Sequence, residues 1–314
     1  MTAKRKLLIS TTSFGEYDHK PIELLRSSNI DYILNPYRRT LTTNELITLL
    51  ERTELLIAGT EKITEEVFRK CKSLKMISRC GVGLDSIDLG SAKKFGVHVA
   101  CTSDAPVLSV AELTLGLMIN LFRFVHQADR SIRSNRWEKY MGNLLTGKTV
   151  GILGYGRIGQ KLSELLVPFE TKLLLFDIET NKTAGKSGKL GNFVSLENLL
   201  SQSDIVSIHL PLTERTRHLI GKEELFLMKP SSFLVNTARG GIINEEALFE
   251  ALSTRKIKGA AIDVYEKEPY NGKLQELDNV ILTAHMGSYT KETRANMEYQ
   301  AVQNIVQFIQ NNSD

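Results

Sequence analysis

Four side chains able to handle anions and protons follow short apolar runs in the second half of the chain: Arg239, Asp263, Glu268 and His285. A guanidinium grips a carboxylate and a carbonyl oxygen in a planar, two-pronged way that an ammonium does not. An imidazole titrates near neutrality and can take or give a hydroxyl proton. A carboxylate on its second ring nitrogen fixes the tautomer. Beside a redox cofactor, this set meets the needs of hydride transfer at an alcohol carbon. Alternatives stay open on the residues alone. Glu266 competes with Glu268 for the carboxylate role, Arg239 could merely close a turn, and His209 also ends an apolar run. His285 is preferred because it ends the last strand and precedes Gly287-Ser288, which leave room for a ring. His19, His126 and His218 sit in polar contexts that predict solvent exposure, and His98 lies within a strand.

The cofactor signal runs from Thr149 to Asp177. An apolar run leads into Gly154-Tyr155-Gly156-Arg157-Ile158-Gly159, then an amphipathic segment to Leu166, then Leu173-Leu174-Leu175-Phe176-Asp177. Each glycine has its own steric role. Gly154 turns the chain, Gly156 lets backbone approach a pyrophosphate, and Gly159 lets helix pack on strand. The helix N-terminus then faces the anion with free N–H groups. Asp177 can accept from ribose hydroxyls and would repel a 2′-phosphate, so the spacing predicts NAD rather than NADP.

These groups need a frame. With 314 residues the chain is long enough for two domains, each with its own core. A formal net charge of +4 without a basic aromatic stripe argues against nucleic acid. Cys71, Cys80 and Cys101 match no zinc spacing, so a reducing, cytoplasmic setting and no metal are expected. The apolar run after the basic start stops at Ile9, too short for a secretory signal. Val107 to Val125 is apolar nearly all round but is interrupted by Ser109, Glu112, Asn120 and Arg123. Its unbroken part falls short of the roughly 20 residues of a membrane span. It therefore predicts a helix buried on all sides, between domains or at a subunit contact.

In the first hundred residues, short apolar runs (6–11, 32–34, 55–58, 74–78, 97–100) alternate with helical periods (22–28, 44–52, 64–72 and after Ser86), the pattern of a covered parallel sheet. Gly81-Val82-Gly83 follows one of these strands, with Ser86 where a third glycine would stand, and suits a backbone anion cradle. Arg130 to Thr146, with Trp137, Tyr140 and Met141, reads as an excursion able to wrap a neighbouring subunit, and Glu179 to Gly191 as a solvated loop. Beyond it, helices are expected at 195–201, 222–228 and 244–255, and strands at 204–210, 233–236, 259–264 and 280–283. Their polar C-terminal ends would share one sheet edge with the fingerprint glycines.

The chain resembles the D-2-hydroxyacid dehydrogenase family along its whole length. The resemblance rests on Gly81-Val82-Gly83 with Ile87-Asp88, Ser109-Val110-Ala111-Glu112, Gly151 to Gly159, His209-Leu210-Pro211-Leu212-Thr213, Asn236-Thr237-Ala238-Arg239-Gly240, Ala261 to Tyr265 with Glu268-Pro269, and Leu282-Thr283-Ala284-His285. It implies an α/β fold of two doubly wound parallel-sheet domains, with a Rossmann NAD-binding domain (102–285) inserted into a flavodoxin-like substrate domain (1–101 and 286–314). The C-terminal helix from Lys291 would complete the first domain, and closure on a hinge would expel water. It implies Arg239 as the substrate clamp, Glu268 as the partner of His285, and His285 as acid and base. The cofactor would meet Gly154, Gly156, Arg157, Ile158, Gly159, Asp177, His209, Pro211, Thr237, Ala238, Asp263 and Gly287, with Asp263 on the nicotinamide carboxamide. Backbone at Val82 and Gly83 would grip the substrate carboxylate.

Within the family the chain is similar to the 3-phosphoglycerate dehydrogenase branch, through Arg79, Trp137 with Met141-Gly142, and Leu145 to Thr149. It departs from that branch in stopping without a regulatory C-terminal domain. It departs also in carrying Gly59-Thr60-Glu61-Lys62 where an arginine is common, which leaves Lys62 or Arg79 for a phosphate, and in having Ala284 where proline is usual. The resemblance implies oxidation of 3-phospho-D-glycerate by a homodimer; charge and helix length lead us to expect no nucleic-acid or membrane partner. The alternatives are a glyoxylate or hydroxypyruvate reductase and a non-catalytic NAD-sensing interaction protein.

Overall fold

The computed structural model describes residues 5–179 and 190–312; the expected loop of 179–191 therefore falls largely outside the described residues. The chain forms two compact units, 1–106 with 289–314, and 107–288.

The first unit holds β1 (Lys6–Ile9), α1 (Lys20–Ser27), β2 (Asp31–Leu34), α2 (Thr43–Leu50), β3 (Leu55–Ala58), α3 (Glu65–Lys70), β4 (Met76–Arg79), α4 (Leu89–Lys94) and β5 (His98–Cys101). Its sheet is parallel throughout, in the order β2-β1-β3-β4-β5. This is the flavodoxin-like order. Leu7, Leu8 and Ile9 of β1 and all four residues of β3 are buried. Both faces are covered, and so the strands read as apolar runs instead of alternating patterns. Helix α2 starts where Thr42 and Glu45 form a reciprocal capping box. It then buries Leu46, Ile47 and Leu50 against the sheet, at about 1.5–3 kcal/mol for each fully buried aliphatic side chain.

The second unit holds α5 (Val107–Arg123), α6 (Val125–Arg133), β6 (Thr149–Leu153), α7 (Arg157–Leu166), β7 (Lys172–Phe176), β8 (Asn192–Phe193), α8 (Leu196–Gln202), β9 (Ile205–Ile208), α9 (Lys222–Leu227), β10 (Phe233–Asn236), α10 (Glu245–Ser253), β11 (Gly259–Ile262) and β12 (Val280–Leu282). The parallel order β12-β11-β10-β9-β6-β7-β8 is the Rossmann arrangement with one further strand. Every strand's carboxyl end therefore lies at one edge. The chain then returns to the first unit as α11 (Lys291–Asn311), which buries Met297, Ala301, Val302 and Ile305 among residues of β1, β3 and β4.

Three features differ from the sequence reading. Within this chain helix α5 is buried on part of its surface: Val110, Ala111, Leu117, Met118 and Leu121 are covered, whereas Leu108 and Ile119 are 50% and 38% exposed, where the sequence reading expects a domain or subunit contact. It stops at Arg123 because Phe124 takes a left-handed conformation (φ 55°), which a helix cannot continue. Part of the expected excursion is then helical, as α6, whose mostly polar sequence hides the period. The remainder, residues 134–146, has no regular element and leaves Trp137 and Met141 largely exposed. Among the described residues no single helix is long and apolar enough to cross a membrane; α5 and α6 pass that test only together, across a 65° bend.

Candidate active site

The fingerprint forms the turn from β6 into α7. Gly154 has φ +98°, and a Cβ there would stand 2.6 Å from the His209 carbonyl. At Gly159 a Cβ would stand 2.2 Å from the Gly154 oxygen. Both are therefore glycine because of packing within the unit. Gly156 is different: a Cβ there would meet nothing within 4 Å. Among the described residues nothing demands glycine at that point, whereas close approach of a pyrophosphate would. The first-turn amides of Arg157, Ile158 and Gly159 have no acceptor inside α7, as at any helix start, which is the arrangement that suits an anion. The residues present fit a dinucleotide.

Asp177 follows β7 and accepts from the Tyr155 amide (2.9 Å) and the Glu179 amide (3.3 Å). The carboxylate is thus fixed against the glycine turn. His209 follows β9 and lies under the same turn; its Nε2 bonds Ser207 Oγ at 2.9 Å. Burial pushes its pKa down to about 4, so the ring is neutral at physiological pH. Pro211 is exposed, and its carbonyl accepts from Thr216 Oγ1 at 2.6 Å.

Arg239 follows β10. Asn236 shapes its loop by donating from Nδ2 to the Arg239 carbonyl (2.9 Å) and accepting from the Ala238 amide (3.1 Å). The guanidinium is half-buried and donates to the Ala238 carbonyl at 2.7 Å. Thr237 points the other way, its hydroxyl 2.9 Å from Thr114 on α5. Ala238 beside it is half-buried.

His285 follows β12 in a left-handed conformation (φ 50°). Its Nδ1 lies 2.8 Å from Glu268 Oε2 and 3.1 Å from Oε1. The geometry thus distinguishes the two candidate carboxylates: Glu268 bonds His285, while Glu266 bonds His218 at 3.1 Å. Asp263 is fully buried, and it takes the Thr283 hydroxyl (2.6 Å) and the Met286 amide (2.9 Å) on Oδ1 and the Gly287 amide (2.9 Å) on Oδ2. It holds the histidine loop in place, a role its sequence context did not announce. Tyr265 adds a second tie, its hydroxyl donating to the Ile262 and Thr283 carbonyls at 3.0 and 2.9 Å. Burial raises the phenol's pKa, keeping it a donor.

In the first unit, Val82 is exposed and Gly83 half-buried. The Arg79 guanidinium turns back toward the Ala58 and Cys80 carbonyls. Lys62 is exposed, beside buried Glu61, which accepts from Ser10 Oγ and the Gly59 amide. Among the described residues no group of three or more histidine, cysteine or acidic side chains could hold a metal ion.

A parallel sheet of Rossmann order, a glycine turn open only at Gly156, an acid at the end of the second strand and a carboxylate-bound histidine define a dinucleotide-binding α/β protein of the oxidoreductase class. Residues 115–287 match the model of the D-isomer specific 2-hydroxyacid dehydrogenase NAD-binding domain. The chain belongs to this family of NAD-dependent oxidoreductases that act on CH–OH donors. It is 40% identical to a D-3-phosphoglycerate dehydrogenase of Methanocaldococcus jannaschii over 81% of this chain and 49% of the relative, so the match spans about half of that relative's length. It is 38% identical to a hydroxypyruvate reductase of Thermotoga maritima over 84% of this chain and 88% of the relative. Among solved structures, the TT0316 protein of Thermus thermophilus superposes with a TM-score of 0.87 at 32% identity, covering 98% and 97% of the two chains.

Proposed function

We propose that this protein oxidises a D-2-hydroxy acid with NAD, its preferred substrate being 3-phospho-D-glycerate. The observation that carries the redox reading is the bond between His285 Nδ1 and Glu268. It leaves Nε2 to take the hydroxyl proton while the carboxylate balances the imidazolium that forms. Arg239 would hold the acid's carboxylate and the oxygen that becomes the keto group. Gly154, Gly156, the α7 amides and Asp177 would hold the cofactor, joined by His209, Pro211, Ala238, Gly287 and the Thr237 backbone. Asp263 is wholly buried, and so it would serve the cofactor through the Met286 and Gly287 backbone that its carboxylate holds. When bound, NAD supplies the hydride acceptor. The carboxylate at Asp177 favours NAD over NADP.

In the first unit the backbone at exposed Val82 and half-buried Gly83 is proposed to bind a carboxylate, and exposed Lys62 a phosphate. Arg79 is the weaker phosphate candidate because its guanidinium turns toward backbone carbonyls. The phosphorylated substrate is supported by likeness to the M. jannaschii dehydrogenase. A second reading, reduction of hydroxypyruvate or glyoxylate, is supported by likeness to the T. maritima reductase. A substrate panel with NAD and NADP, followed by absorbance of the reduced cofactor, decides between them. The reading expects the highest kcat/KM with 3-phospho-D-glycerate and NAD. Turnover of D-glycerate with none of the phosphorylated acid would remove it.

The proposal extends to a homodimer. Leu108, Ile119, Val125, Ile132, Trp137 and Met141 are all exposed on α5, α6 and the segment after them, and apolar exposure concentrated on neighbouring elements marks an interaction surface. Light scattering should give twice the 35.2 kDa of one chain. A monomer would contradict this part. Three free cysteines accord with a cytoplasmic location.

A further inference from the structure

His218 and Glu266 have no part in the reaction as described, yet they connect its two halves. The His218 amide donates to the Gly241 carbonyl at 2.7 Å, two residues beyond Arg239. Its ring Nε2 reaches Glu266 Oε1 at 3.1 Å, two residues before Glu268. His218 makes both bonds from a left-handed conformation (φ 52°). The Glu266 amide is in turn fixed by Glu245 Oε1 at 2.7 Å, at the start of α10. The two segments also press together directly. A Cβ on Gly240 would lie 1.8 Å from the Tyr265 carbonyl oxygen, so the arginine loop can sit there only without a side chain. Finally, the Tyr265 amide donates to Glu268 Oε1 at 3.2 Å, and Glu268 holds His285.

We propose that the His218–Glu266 pair is a positioning strut that fixes the spacing between the Arg239 segment and the Glu268–His285 pair. The inference rests on the functional reading above. An exposed imidazole–carboxylate contact contributes little to global stability. A displacement of about 1 Å between a substrate clamp and a proton acceptor, by contrast, costs about 100-fold in rate. The strut therefore acts on turnover far more than on folding.

The test uses the full chain and three variants, His218→Asn, Glu266→Ala and Glu266→Gln. Asparagine tolerates a left-handed backbone, so His218→Asn keeps the main-chain bond and loses the reach to Glu266. Glutamine keeps an acceptor for the ring. Expected for His218→Asn and Glu266→Ala is a fall in kcat of about tenfold, with KM for NAD and the melting temperature unchanged. The primary isotope effect with acid deuterated at C2 should rise as the chemical step becomes limiting. Glu266→Gln should restore most of kcat. Unaltered kcat in the first two variants, or a fall matched by weaker NAD binding, would overturn the strut while leaving the functional reading standing. A parent protein that oxidises or reduces no 2-hydroxy or 2-keto acid would overturn that reading and the strut with it.

Discussion

Arg239 is the residue on which binding and chemistry are proposed to meet. It would touch both the carboxylate, which does not change, and the carbinol oxygen, which does. Removing it should therefore raise KM and lower kcat together. Charge-assisted hydrogen bonds contribute about 1.5–3 kcal/mol each, so Arg239→Gln should lower kcat/KM by about 100-fold or more. An unaltered KM would deny it the clamp role. His209 gives a prediction in pH. Its folded pKa lies at about 4, below the ordinary value of 6.5, so the unfolded chain binds a proton first as pH falls. Stability is full above about 6.5 and declines as pH drops toward 4, by up to about 3 kcal/mol. Melting temperatures at pH 7.5 and 5 should differ more in the parent than in His209→Gln. Equal differences would show that the imidazole is not the cause.

At the scale of elements, α11 does more than cover the first sheet. Glu298 is wholly buried on it, bonded to Arg294 at 3.0 Å and to the Gly15 amide at 2.8 Å, while Arg294 reaches Ser13 Oγ at 3.0 Å. One helix thereby fixes the loop after β1, at the sheet edge where ligands of this fold bind. Removing one partner of a buried pair costs about 3–5 kcal/mol. Glu298→Ala should therefore lower the melting temperature by about 10 °C. A change of a degree or two would show that the pair contributes nothing net. Most strands and helices of both units were readable because fully buried strands carry apolar runs, as Leu55 to Ala58 and Phe233 to Val235 do. Strand β8 was not: it has two residues, one of them Asn192. The break at Phe124 was equally hidden, because an aromatic residue does not announce a positive φ.

For the whole molecule, the glycine turn and its acid are local in sequence, and so the strand, turn, helix and strand from Thr149 to Asp177 were legible from spacing alone. Arg239 and His285 could be nominated from the ends of their strands. The choice between Glu266 and Glu268 could not be made from the residues, because each is paired across a long stretch of chain, His218 lying 48 residues from Glu266 and His285 lying 17 from Glu268. Family resemblance favoured Glu268, and geometry then gave Glu266 a partner of its own. Likewise Asp263 was read as a cofactor ligand, but its buried carboxylate also organises the loop that presents the histidine.

The central claim is that the protein moves a hydride from the carbinol carbon of a 2-hydroxy acid to NAD. Its most direct test is to incubate the purified chain with NAD and the best acid of the substrate panel, deuterated at C2, and to examine the reduced nicotinamide by mass spectrometry. The account predicts one deuterium per reduced cofactor, formed by the parent and lost in His285→Asn. Reduced cofactor without deuterium, or the same yield from His285→Asn, would contradict it.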